Sequence, residues 1–284
     1  MMYIGVKFAK KKGLFIIRKC FLVLKRAFIF EYLLFRRLQA RLRVLCQGDS
    51  LFRNTNVVLL GPNTVFDCEL EERIKCADIV TVVNKSYRAS FAKKASKVAK
   101  KFIVFHCMDQ REDVGGGQID VSVLLQMRIK AIVVPVYDEE TDRHCWQFHR
   151  NQGWRVPLFR VGRKQFALWR KESAGFVPNT GFAAIRYIIE SRPKSLFVTG
   201  ITFMRTPYNC AAYDKKFSQL EFVVQLIEKY RVHNPDHDFL NMREMYRRGY
   251  VDVDKELEII FSRPYEPIFY LSEPSLIVEK HRAD

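Results

Sequence analysis

Asn56-Val57-Val58-Leu59-Leu60-Gly61-Pro62-Asn63 decides the architecture. A run of Val and Leu at strand length is followed at once by Gly and Pro, so the segment predicts a buried strand that stops in a sharp polar turn. The pattern recurs downstream. Ile79–Val83 ends at Asn84, Phe102–His106 and Ala131–Val136 are further apolar runs, and Ser195–Thr199 ends at Gly200. Helical stretches separate them, at about Cys68–Lys75, Lys93–Lys101, Phe182–Glu190 and Lys215–Tyr230. Strands alternating with helices predict an α/β fold with a mainly parallel sheet, as one domain over residues 51–284. Gly115-Gly116-Gly117 reads as a flexible turn. Residues 138–176, rich in Trp, Arg and His, are expected to be an irregular excursion, a lid or acceptor-side insertion. The tail from Arg263 is expected to wrap on the surface.

Composition narrows the class. The chain has 284 residues, of which 48% are apolar and 28% charged, globular values that exclude intrinsic disorder. No apolar run reaches eighteen residues without a charge, so a conventional membrane span is not expected. Seven cysteines without a C-x-x-C suit reduced thiols better than a disulfide framework. The formal net charge of +17 points to an anionic partner: phospholipid, nucleic acid or a phosphorylated substrate.

Much of that charge lies in residues 1–50, where twelve Lys and Arg face two acids. The basic pairs Lys11/Lys12, Arg18/Lys19, Lys25/Arg26 and Arg36/Arg37 are spaced by seven or eleven residues. At about 100° per residue such steps return within roughly 20° of their start. The pairs and Arg43 therefore line one side of a helix, interrupted by Leu22 and Ile29. A broad apolar face with a basic seam predicts an amphipathic helix in an anionic membrane interface, using residues 7–43. The alternative is a core-packing helix with a solvated basic edge. Nucleic acid is the weaker partner, since the interleaved residues are aliphatic rather than stacking aromatics.

Ligands of open α/β sheets gather outside the carboxyl ends of the strands. Gly61-Pro62-Asn63, Asn84, Asn179-Thr180-Gly181 and Gly200 fall there or at a helix mouth. Singly, each reads as a turn or a cap. Together they supply backbone N–H groups for an anion and Asn side chains for hydroxyls and phosphate oxygens. Neither a P-loop nor a G-x-G-x-x-G fingerprint is present. His233 precedes Asn234, a good N-cap, and Pro235, a good first helical residue. A neutral imidazole there can take a proton from an alcohol. The alternatives are a surface histidine beside a cap, or a metal pair with His237, for which no third ligand is evident.

In this order, Gly61-Pro62-Asn63, Asn84, Pro178-Asn179-Thr180-Gly181, Gly200-Ile201-Thr202-Phe203 and His233-Asn234-Pro235-x-x-Asp238 resemble the sialylmotifs of sialyltransferases. The likeness is to glycosyltransferase family 29, with bacterial family 42 as a related pattern, and it spans about residues 56–260 with gaps. It implies a Rossmann-like domain of the variant GT-A, sialyltransferase type. The donor would be cytidine monophosphate (CMP)-sialic acid, with no required cofactor and no metal. Gly61 and Asn63 would approach the CMP ribose and phosphate, and Asn84 would serve the nucleotide. Asn179, Thr180 and Gly181 would contact the donor sugar and its carboxylate. Gly200, followed by Thr202, would lie under the cytidine. Tyr208 and Tyr213 would steady the leaving phosphate, and His233 would be the general base. The sequence departs from the pattern at Asn179, where Ser or Thr is common, at Thr202, where an acid is common, and in the family's cysteine pair. CMP-Kdo and other nucleotide sugars therefore stay open as donors. The acceptor is expected to be a glycan, glycolipid or lipo-oligosaccharide. The expected location is peripheral, on the cytoplasmic face of a bacterial inner membrane, or on a Golgi membrane if the source is eukaryotic. The competing reading is a non-catalytic membrane- or RNA-binding protein on the same scaffold.

Overall fold

The computed structural model describes residues 51–112, 116–152, 155–208 and 210–268. The basic amphipathic segment predicted over residues 1–50 lies outside them. Seven strands form one sheet: β1 (Asn56–Leu60), β2 (Ile79–Val83), β3 (Phe102–Phe105), β4 (Ala131–Val134), β5 (Leu158–Arg160), β6 (Ser195–Thr199) and β7 (Asp252–Val253). Their order is β5-β4-β3-β2-β1-β6-β7, and every neighbouring pair is parallel. The protein is thus α/β with an all-parallel, Rossmann-like sheet.

Alternation along each strand builds two cores. In β1, Val57 and Leu59 face one side with Ile79, Ile103 and Val198, while Val58 and Leu60 face the other with Val80, Val82 and Val104. A strand covered on both faces must be apolar throughout, which is why β1 and β2 read as continuous runs rather than alternating ones. The helices α1 (Cys68–Cys76), α2 (Ser90–Val98), α3 (Val121–Gln126) and α4 (Glu139–Gln152) cover one face. The other is covered by α5 (Arg163–Glu172), α6 (Thr180–Glu190), α8 (Pro235–Arg247) and α9 (Lys255–Ser262). The helix between them in sequence, α7 (Leu220–Tyr230), packs instead in a small separate cluster with Phe217 and Tyr213. The chain runs outward from β1 to β5, then returns to place β6 on the opposite flank of β1. That reversal is the topological switch point, where loops diverge and leave a crevice.

Two expectations are corrected. Residues 138–176 are not an irregular excursion: they contain α4, β5 and α5. The buried positions of α4 are Thr141, Cys145, Phe148 and His149, a helical stripe filled largely by polar or weakly apolar side chains, so hydropathy alone hides it. The single helix expected over residues 215–230 is a short 3-10 turn, Lys215–Ser218, followed by α7. The structure also extends beyond the predicted elements, with β7 and α9 closing the far edge of the sheet. The predicted basic helix begins earlier, as α2. No described helix is long and apolar enough to cross a membrane.

Candidate functional site

A cavity of about 400 Å³ opens at the carboxyl ends of the strands. Its floor takes Pro62 after β1, Val83 at the end of β2 and Asn84 after it, Cys107 after β3 and Val136 after β4. Ile201 and Thr202 follow β6, the mouth of α6 supplies Asn179, Thr180 and Gly181, and His233 sits just before α8. A wall from the segment 203–232 includes Met204, Tyr208, Tyr213 and Leu226.

The mouth of α6 is held from three directions. Asn179 Oδ1 accepts from Phe182 N at 2.9 Å, the expected N-cap. Its Nδ2 and its backbone N donate to Asp238 Oδ2 at 2.6 and 2.9 Å. Asp238 is 1% exposed, and burial pushes its carboxyl upward from the ordinary range. Asn84, in the left-handed region at φ 47°, donates from Nδ2 to Thr180 Oγ1 at 3.1 Å and accepts from Cys107 N at 3.1 Å. One asparagine therefore joins the ends of β2 and β3 to α6. The backbone N–H groups of Thr180 and Gly181 have no hydrogen-bond acceptor among the described residues. They lie at the positive end of an eleven-residue helix and line the cavity. A Cβ on Gly181 would come 3.0 Å from the Ile201 side chain, so glycine lets that helix end sit close to β6.

His233 Nδ1 lies 2.7 Å from the carbonyl of Val177. A carbonyl only accepts, so Nδ1 carries a proton, and in the neutral tautomer this fixes, Nε2 is the nitrogen with the lone pair. Nε2 has no hydrogen-bond partner among the described residues, and the ring lines the cavity. His237 points elsewhere, to the carbonyl of Glu172 and to Asn241. Among the described residues no three His, Cys, Asp or Glu side chains converge as metal ligands.

Tyr208 and Tyr213 meet edge to face, with ring centroids 5.2 Å apart, and Tyr208 stacks on Phe217. Burial holds both phenols in their protonated form, pushing Tyr208 up to about 12 and raising Tyr213 as well. Lys85, 1% exposed, donates to the Glu112 carbonyl and lies 4.7 Å from the Tyr213 ring. The loop after β6 carries Phe203 and Met204 at φ 54° and 63°, a costly conformation for large side chains. Two fastenings hold it. Asn63 Nδ2 donates to Thr202 and Thr206 at 3.3 and 2.9 Å, and Arg205 pairs with Asp236 at 2.6 Å.

Eight of the expected site residues line the cavity: Asn84, Asn179, Thr180, Gly181, Thr202, Tyr208, Tyr213 and His233. Gly61, Asn63 and Gly200 do not; they lie in the layer that shapes it. A Cβ on Gly61 would be 2.2 Å from Gly200 O, and one on Gly200 would be 2.2 Å from Thr64 N. Gly200 adopts φ 69° and donates its N–H to Asp254 at 3.0 Å. Asp109, Arg111, Asp138, Glu140 and His144 line the cavity without having been singled out in the sequence. Their signal was present: Asp109 and Asp138 each follow a strand by four residues, where ligand loops begin. His144 lies one helical turn after Glu140 on α4.

No family model matches this chain, and no curated protein matches it.

Proposed function

We propose that the protein is an inverting glycosyltransferase of sialyltransferase type, acting on CMP-sialic acid, with His233 as general base. One observation carries this reading. An imidazole that donates from Nδ1 shares the cavity, its Nε2 without a partner among the described residues, with two backbone N–H groups that likewise have no acceptor among them and with two buried tyrosines. The N–H groups of Thr180 and Gly181 suit the donor's carboxylate, and the phenols suit the departing phosphate. The acceptor's oxygen attacks the anomeric carbon from the face opposite CMP. As the new C–O bond forms, the C–O bond to the phosphate breaks, its electrons leave with CMP, and the acceptor's proton passes to Nε2. Phosphate is a competent leaving group, so orientation and anion stabilisation are the main demands on the protein.

Asn84 and Asn179 act mainly as braces in this reading, because each spends its carbonyl oxygen and at least one amide hydrogen on the protein itself. The acceptor is assigned to a glycan or glycolipid on a membrane surface.

Isothermal titration with CMP and a donor screen read by CMP release test the proposal. Saturable heat is expected, with release fastest from CMP-sialic acid. Faster release from CMP-Kdo would move the donor assignment. Absence of any CMP heat would remove the transferase reading in favour of a binding scaffold.

A further inference from the structure

The α7 rim of the cavity carries side chains that the transfer reaction does not use. Helix α7 is closed by Arg231 at φ 45°, and Lys229, Tyr230, Arg231 and Val232 are all exposed. Tyr230 is 42% and Val232 46% exposed, and both also line the cavity. Lys229 Nζ lies 5.3 Å from the Tyr230 ring centroid.

More cations lie close by in the fold. Val177 N donates to Val232 O at 3.0 Å. Two residues before Val177, the carbonyl of Gly175 accepts from Arg170 at 3.0 and 3.2 Å. The contact of His237 with the Glu172 carbonyl joins the end of α5, with Arg170 and Lys171, to the start of α8. Of the nearby acids, Glu172 is paired with Arg186 at 2.6 Å, Glu221 and Glu228 are both exposed on α7, and Asp138 and Glu140 are exposed on the cavity lining.

Tyr230 and Val232 are exposed at the opening of the cavity, where the Tyr230 ring lies near both Lys229 and Arg111 of the lining. A phenol with an apolar body and a polar tip suits the headgroup level of a bilayer, and flanking cations suit lipid phosphates. We propose that this rim docks on an anionic phospholipid bilayer, with Tyr230 and Val232 entering the headgroup layer and Arg170, Lys171, Lys229 and Arg231 meeting phosphates. The cavity then opens toward the membrane. On the transferase reading, the hydroxyl reaching His233 belongs to a membrane-borne glycan.

Residues 1–50 are basic as well, so co-sedimentation alone does not locate the contact; a reporter on the rim does. Full-length Tyr230→Trp protein is titrated with phosphatidylcholine vesicles, with and without phosphatidylglycerol, and its emission is read after subtracting the unsubstituted protein's signal. Val232→Trp serves as a second reporter. A blue shift is expected with the anionic vesicles only, and Lys229→Glu/Arg231→Glu in the reporter background is expected to abolish it. The proposal is overturned if the protein sediments with vesicles while neither reporter shifts, if neutral vesicles shift them equally, or if charge reversal leaves the shift intact. A shift with single-stranded RNA and none with vesicles also overturns it, in favour of a nucleic-acid partner. CMP titration of the same preparation is a separate readout, so loss of the transferase reading would leave the membrane result standing.

Discussion

His233 leaves Nε2 without a partner among the described residues, while its Nδ1 meets the Val177 carbonyl. On the proposed transferase reading, replacing it with Ala removes the proton acceptor while touching a half-buried position. The expected outcome is a folded protein with unchanged CMP heat and CMP release slowed roughly 10²–10⁴-fold. Full transfer activity in folded His233→Ala protein would assign the base elsewhere. Gly200 is a different kind of residue. Its left-handed φ and its Cβ direction, 2.2 Å from Thr64 N, leave a side chain no room without moving backbone. Gly200→Ala is expected to cost about 2–4 kcal/mol, combining backbone strain with overpacking. Chemical denaturation measures it; a loss below about 1 kcal/mol would show that the turn can relax.

Among the elements, α6 is the one the cavity depends on, and the brace at its mouth runs through the buried Asp238. Asp238→Ala would leave the Asn179 N–H and amide without their acceptor. The expected stability loss is about 2–4 kcal/mol, with a weaker affinity for CMP-sialic acid than the parent. A variant with lowered thermal stability but parental affinity for CMP-sialic acid would show that the helix end does not touch the nucleotide sugar. The helices themselves differ in how openly the sequence announces them. Both α6 and α8 begin at Asn caps, and α8 adds Pro at its first turn, so local chemistry marks their starts. In α4 the buried stripe of Thr141, Cys145, Phe148 and His149 has helical spacing but little hydropathy. β5 is three residues long, too short to show a period.

For the whole molecule, acid is the expected weakness. His106, with no exposure, donates from Nε2 toward the Gly116 carbonyl and accepts at Nδ1 from Met108 N. Burial lowers its titration to about 4, and that of His149 to about 4 as well. In the unfolded chain both imidazoles take up protons near pH 6.5. Between those values the unfolded state binds more protons, so stability falls as pH drops from about 6.5 through about 4. Each group contributes a slope of at most about 1.4 kcal/mol per pH unit, about 2.7 for the pair. Urea unfolding at intervals across that window measures it. A flat profile would mean that these rings gain partners when charged. His106→Gln, which keeps a polar group but cannot titrate, is expected to reduce the slope by about half.

What the sequence determined alone is local: strands β1, β2 and β6 within their apolar runs, the sharp turns after them, and the caps at Asn179 and Asn234. Those features depend on side chains within a few positions of one another. Only the tertiary structure decided which groups share a cavity, because an all-parallel sheet delivers every strand's carboxyl end to one edge whatever the distance in sequence. It alone set Gly61 and Gly200 against each other, spent Asn84 and Asn179 on bracing, and brought Asp109, Asp138 and His144 to the cavity lining. A side chain's free hydrogen-bonding capacity is settled by its neighbours in space, and one chain read from end to end does not list those.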